Sequence, residues 1–222
     1  MLVHSFMKQI QRPKAVVFDL GKVLVDFDYS IAARALASRV RLSLAELEQT
    51  INQSPLLHQY EAGLMTTEEF FKQFQAMAGY DGGFEEFADL FGNIFTEIEP
   101  MVAVHGALCD AGVPTYLLSN TNELAIRNVR RNFPFFGRFN HHVLSYEQRL
   151  MKPDPAIYAV VEEVAGLRGA DLIFLDDRPE NVASAVARGW QGVVHQSPLL
   201  SRLALEAVGF LDELRAESRT AA

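Results

Sequence analysis

A chain of 222 residues with 49% hydrophobic and 22% charged side chains is long and apolar enough to bury a sizeable core. Its net charge of −8 at pH 7 argues against nucleic acid or another polyanion as partner, while leaving room for a small anionic molecule whose charge a bound cation can offset. No apolar run approaches the roughly 18 residues that span a bilayer, so no membrane partner is expected. The single cysteine, Cys109, excludes an internal disulfide and fits a reducing compartment, so the chain reads as cytoplasmic.

Residues 1–14 read as a leader without the apolar core and cleavage site of a signal peptide. The short β-branched and aromatic run 16–18 then predicts a buried strand that stops at Asp19, with Gly21 two residues on. From residue 28 to about 99 the pattern is helical. Ser43 with Glu46, and Thr66 with Glu69, have the spacing of capping boxes. Phe70, Phe71, Phe74, Met77, Phe84, Phe87, Leu90, Phe91 and Phe95 recur at three- and four-residue spacing, which predicts a helix core. Residues 78–83 break that run.

After Pro100 the character changes to strands alternating with helices. Strands are predicted at 115–118, ending at Ser119 and Asn120, at 142–145, at 172–175, ending at Asp176 and Asp177, and at 192–195. Helices are predicted at 102–111, 121–132, 155–166 and 179–188, with Gly112, Gly166 and Gly189 as stops and Asp154-Pro155 as a start. The last dozen residues read as a fraying tail. Such alternation predicts an α/β fold, a parallel sheet with right-handed crossovers.

Parallel strands gather their carboxyl ends at one edge, where ligands of open α/β sheets sit. Asp19, Ser119, Asn120, Asp176 and Asp177 should therefore converge, with Lys152 in a nearby loop. That set suits phosphoryl transfer. Asp19 is placed as a carboxylate nucleophile forming an aspartyl-phosphate. The carboxylates of Asp19 and Asp177 and the backbone carbonyl of Gly21 offer the hard oxygens that Mg²⁺ prefers, with Asp176 binding the ion directly or through a water. Ser119 and the backbone N–H groups after it would hold phosphate oxygens, and Lys152 would neutralise charge. Each piece also has a plain structural alternative. Asp177-Arg178-Pro179-Glu180 can be a capping box, Ser119-Asn120 an ordinary helix cap, and Lys152 a solvated loop lysine. The adjacent carboxylates Asp176 and Asp177 are the hardest to explain that way, because they repel unless a cation lies between them.

FDLGKVLVDFD, LLSNTNE, LMKPDPAIY and IFLDDRPENV, in this order, resemble the four motifs of the haloacid dehalogenase-like hydrolases, with the bacterial α-D-glucose-1-phosphatase-like branch as the nearest likeness. The resemblance implies a Rossmann-like core formed by 1–27 and 100–222, a helical cap at 28–99, and a Mg²⁺-dependent phosphatase. By position, Asp19 is the nucleophile, Ser119 and Asn120 bind phosphate, Lys152 is the motif lysine, and Asp176 with Asp177 is the acidic pair. One position departs from the pattern: most phosphatases of the family carry a general-acid aspartate where this chain has Gly21. A good leaving group, such as an anomeric oxygen, suffers least from that loss, so a sugar 1-phosphate is the expected kind of substrate. Two alternatives follow from the same residues. One is a dehalogenase using Asp19 on carbon; the other is a phosphate-binding regulatory protein without turnover.

Overall fold

Residues 12–52 and 54–211 are described by the computed structural model. The leader up to residue 11 and the expected tail from 212 onward lie outside the described residues. β1 (Ala15–Phe18) is buried at every position, which fits a central strand with both faces covered. It sits between β4 (Thr115–Ser119) and β6 (Leu172–Asp176), flanked by β5 (His141–Leu144) and β7 (Gln191–Val194), in the order β5-β4-β1-β6-β7. All pairings are parallel, and Val16 lies opposite both Thr115 and Ile173.

The alternation of β1 side chains builds two layers. Val16 and Phe18 join one cluster with Met101, Val104 and Leu108 of α6 (Glu99–Asp110), Ile126 and Val129 of α7 (Glu123–Asn132), and Leu205 of α11 (Pro198–Ala207). Ala15 and Val17 join another with Ile157, Tyr158 and Val161 of α9 (Pro155–Ala165), Ala185 of α10 (Pro179–Ala187), and Trp190. A short helix α8 (Ser145–Gln148) follows β5. The result is the expected α/β parallel sheet sandwiched by helices.

Among the described residues five α-helices run between β2 (Val25–Phe27) and β3 (Phe95–Glu97): α1 (Tyr29–Leu36), α2 (Leu44–Ile51), α3 (Pro55–Glu61), α4 (Thr67–Ala78) and α5 (Phe84–Gly92). They share a third cluster, containing Leu47, Tyr60, Phe70, Phe74, Phe87 and Phe91. Both capping boxes form, and Gly79 ends α4 at φ 65. The aromatic spacing correctly marks Phe70, Phe74, Phe87 and Phe91 as core, whereas Met77 faces outward.

Three local expectations need correction. Phe95 is not helical: it pairs with Phe27 in an antiparallel two-stranded ribbon that closes the helical insertion at its base. The helix expected from residue 121 begins at Glu123, because the Asn122 side chain accepts from the Ala125 N–H and so sets the cap. Helix α11 lies where the sequence analysis places no element, although Ser197 as cap and Pro198 as first residue are its start signals.

Candidate active site

Asp19 follows β1, Ser119 ends β4, Asp176 ends β6, and Asp177 comes next. The parallel register therefore delivers these residues to one edge of three adjacent strands. The Asp19 N–H donates to the Leu175 carbonyl at 2.9 Å, so the nucleophile candidate still rides on the ladder of β6. Lys152 comes from the loop between α8 and α9, and its ammonium lies 2.8 Å from Asp19 Oδ1 and 2.7 Å from Asp176 Oδ2. With only 4% of its surface exposed, it is a bridging cation rather than a solvated loop lysine.

A second layer holds these groups. The Asn120 amide brackets the Lys152 backbone: its Nδ2 donates to the Lys152 carbonyl at 2.9 Å, and its Oδ1 accepts from the Lys152 N–H at 2.8 Å. This side chain is thus committed to placing Lys152, which leaves Asn120 its backbone for any anion. Ser119 is buried at the strand end, one helical turn before α7 begins, so neither residue is the cap of that helix. Asn181 Nδ2 donates to both oxygens of Asp176, at 2.9 and 3.0 Å, and the Arg178 N–H donates to Asp176 Oδ1 at 2.8 Å. The Arg178 side chain turns away to Glu180. Asp177 caps nothing: the residue before α10 is Arg178, and no side-chain cap bond forms there.

Burial dominates the electrostatics. It pushes the Asp19 carboxyl up to about 7, against the pull of Lys152 and with added repulsion from Asp176. Burial and then Asp176 raise Asp177 as well. For Lys152, burial favours the neutral amine, but Asp19 and Asp176 outweigh it and hold the ammonium above the ordinary lysine range. One oxygen from each of Asp19, Asp176 and Asp177 falls within 4.8 Å of the others. Three oxygen donors so close, two of them hard to ionise, are the chemistry of a hard divalent cation site, and Mg²⁺ fits. Asp176 is already filled by Lys152, Asn181 and Arg178, whereas Asp177 keeps open carboxylate capacity.

Sequence reasoning missed several neighbours. Ser145 Oγ accepts from the Thr121 N–H at 2.9 Å and sits 2.6 Å from the Glu61 carbonyl, tying the loop after β4 to the end of α3. The Glu61 carboxyl bonds the Tyr29 hydroxyl, which also meets Asn122. The His195 N–H extends the β6 ladder to the Asp176 carbonyl at 2.8 Å. No local pattern announces these contacts; only the polar type of each residue hinted at a partner.

Two curated proteins resemble the chain over most of its length. It is 25% identical to a D-ribitol-5-phosphate phosphatase of Bacteroides thetaiotaomicron over 178 residues, covering 76% of this chain and 85% of that protein. It is 27% identical to a sesquiterpene phosphatase of Aspergillus oryzae, covering 81% and 88%. Among solved structures, a haloacid dehalogenase (HAD) family enzyme of Bacteroides thetaiotaomicron in complex with magnesium and inorganic phosphate superposes with a TM-score of 0.73 at 25% identity, covering 83% of this chain and 94% of that one. The family model for haloacid dehalogenase-like hydrolases matches residues 13–189, which hold all four strand-end motifs and the helical insertion; the chain belongs to that family of hydrolases.

Proposed function

We propose that the chain is a Mg²⁺-dependent phosphomonoester hydrolase of a small phosphorylated metabolite, a sugar phosphate such as a sugar 1-phosphate, working through an aspartyl-phosphate on Asp19. The observation that carries this reading is the buried Lys152 ammonium bridging Asp19 and Asp176 beside the open carboxylate of Asp177. The named activities of the two phosphatase relatives and the magnesium and phosphate bound in the structural neighbour support the phosphatase part of this reading.

Asp19, Asp177 and the Gly21 carbonyl would hold the ion, with Asp176 held by Asn181 and Lys152 beside it. When bound, Mg²⁺ supplies positive charge to the phosphoryl oxygens and favours the ionised carboxylates. A carboxylate oxygen of Asp19 attacks phosphorus, the ester P–O bond breaks, and water later hydrolyses the acyl phosphate. Lys152 pulls Asp19 toward its ionised form and holds it in place, and Ser119 with the backbone of Asn120 receives phosphate oxygens. Helices α1–α5 serve as a cap over 28–99, seated on a core of 1–27 and 100–222, of which 12–27 and 100–211 are described, excluding water and choosing the substrate. The paired carboxylates favour this reading over a metal-free dehalogenase, which has no use for Asp177.

The test is release of inorganic phosphate from a panel of phosphorylated metabolites and an aryl phosphate, with and without Mg²⁺, beside Asp19→Asn. Metal-dependent turnover that Asp19→Asn lowers by at least about 10³-fold is expected. Turnover untouched by that substitution would remove Asp19 from the mechanism, and none on any ester would favour a binding protein.

A further inference from the structure

The loop that follows β4 is held from the helical insertion. Its Asn122 is buried and spends Oδ1 on the Ala125 N–H at 2.9 Å, as the cap of α7. Nδ2 is then the end that meets the Tyr29 hydroxyl, which passes its own proton on to the Glu61 carboxyl. A chain of hydrogen bonds thus runs from the core, through the first residue of α1, to the last residue of α3. The same Glu61 closes a second link with its backbone. Its carbonyl accepts from Ser145 Oγ at 2.6 Å, and that oxygen accepts from the Thr121 N–H at 2.9 Å. Tyr60 adds a third link, its hydroxyl taking the Leu124 N–H at 3.2 Å. Just beyond, Gly63 turns at φ 67, and a Cβ there would stand 2.2 Å from the Tyr146 carbonyl oxygen, so the turn after α3 lies directly against the backbone of α8.

We propose that Glu61 is a positioning residue: through Tyr29 and Ser145 it fixes the loop 119–122, so that seating of the insertion and capture of the phosphate are one event. This rests on the phosphatase reading above, which gives Ser119 and the Asn120 backbone to the phosphate oxygens. With the insertion lifted, the Asn122 amide and the Ser145 hydroxyl lose these partners and the loop loses its fixed place. By the same coupling, a phosphate bound there draws the insertion down. The link carries a charge condition. Burial pushes the Glu61 carboxyl up to about 7, against the pull of the Tyr29 hydrogen bond. Tyr29 is the titratable group that meets it, and charged groups on the elements around α3 are engaged elsewhere. Glu123 of α7 turns to Thr67, Glu147 of α8 to Tyr146, and Asp28 before α1 to Ser30, while Glu46 of α2 and Glu69 of α4 close their own capping boxes. Seating therefore favours the protonated carboxyl. Its contribution is intact below the ordinary glutamate range and is lost as pH rises toward 7, because the ionised group is better solvated with the insertion lifted.

The experiment is calorimetric titration of inorganic phosphate into the protein with Mg²⁺ present, at about pH 5 and about pH 7.5, on either side of most of the Glu61 titration. Turnover of 4-nitrophenyl phosphate is measured alongside, in the native chain, Glu61→Gln, Glu61→Ala and Tyr29→Phe. Tyr29→Phe keeps the ring contacts with Phe27 and Phe91 and removes only the hydroxyl. At the lower pH, Glu61→Ala and Tyr29→Phe should each raise the phosphate Kd at least about tenfold, the order of one lost buried hydrogen bond, while Glu61→Gln stays within about threefold of native. On going to the higher pH, the native Kd should worsen at least about threefold more than that of Glu61→Gln. Dividing one by the other removes the titration of phosphate and of Asp19, which the two proteins share. An unchanged phosphate Kd in Tyr29→Phe overturns the inference, and that variant decides if Glu61→Ala does not fold. So does a native-to-Gln ratio that stays level with pH. Binding needs no turnover: the expected shifts without hydrolysis of any ester overturn the phosphatase reading alone, hydrolysis with unshifted binding overturns this inference alone, and neither binding nor hydrolysis overturns both.

Discussion

The sheet edge and the helical insertion are stabilised by different physics. At the edge, a handful of buried charges are matched group to group: Lys152 to Asp19 and Asp176, Asp176 to Asn181, and the Lys152 backbone to Asn120. In the insertion the interior is a mesh of rings, with Phe87 meeting Phe74 at 4.8 Å, Phe91 at 5.3 Å and Tyr80 at 5.8 Å, while its ion pairs to the sheet half lie outside. Charge pairing is directional and intolerant of change, so it suits atoms that must be placed for chemistry. Ring packing is short-ranged and forgiving of orientation, so it suits a body that shapes access to a site. The seam mixes the two. Leu124 of α7 lends its side chain to the insertion's cluster, and Arg127 and Arg131 of the same helix reach Glu85 and Asp89 of α5.

The sharpest way to break this contrast is Lys152→Met. It leaves two carboxylates buried without their cation, and the expected loss is about 3–5 kcal/mol of stability and on the order of 10²–10³ in kcat. Urea unfolding and steady-state kinetics measure both; a variant as stable as the native chain would mean the edge is not electrostatically tuned. Phe87→Ala should cost a similar 3–5 kcal/mol by opening a cavity among the rings. Here the damage should stay local. Amide hydrogen exchange should accelerate across α2–α5 while β1, β4 and β6 keep their protection, and uniform acceleration would show one cooperative unit.

pH separates the halves by sign. Burial, with the nearby Arg138 charge adding to it, lowers His105 to about 4, so it folds neutral; its contribution is intact above its unfolded value near 6.5 and is lost as pH falls from there toward 4. Burial raises Glu61 to about 7, so it folds protonated; its contribution is intact below about 4.5 and is lost as pH rises toward 7. Relative to the native chain, the melting temperature of His105→Gln should improve on acidification and that of Glu61→Gln on going from pH 5 to pH 8. Parallel trends would contradict the assignment. The smallest effect belongs to the rim. Arg131→Ala removes one exposed ion pair with Asp89 and should change stability by less than about 1 kcal/mol, with added salt erasing most of the difference.

Much of this was legible in the sequence, for a definite reason. Strand runs such as 16–18 and 172–175 are short, apolar and bounded, so the polar residues at their ends had to gather once the sheet was parallel. Capping boxes and glycine stops are likewise local, and Ser43, Thr66 and Gly79 behave as their neighbours in the chain dictate. What stayed hidden depends on partners far away in sequence. The strand character of Phe95 comes from pairing with Phe27. The work of Asn120 is set by a backbone 32 residues on. The close fit at Gly21, where a Cβ would stand 2.8 Å from Phe27 Cε1, is set by a ring from the next strand. The sequence by itself determined which chemistry-bearing residues reach the sheet edge, because strand length, side-chain alternation and parallel topology are enough for that. Only the tertiary structure decided how those residues are paired and what walls them in, because hydrogen bonds and ring contacts between distant segments leave no periodic trace in the chain that makes them.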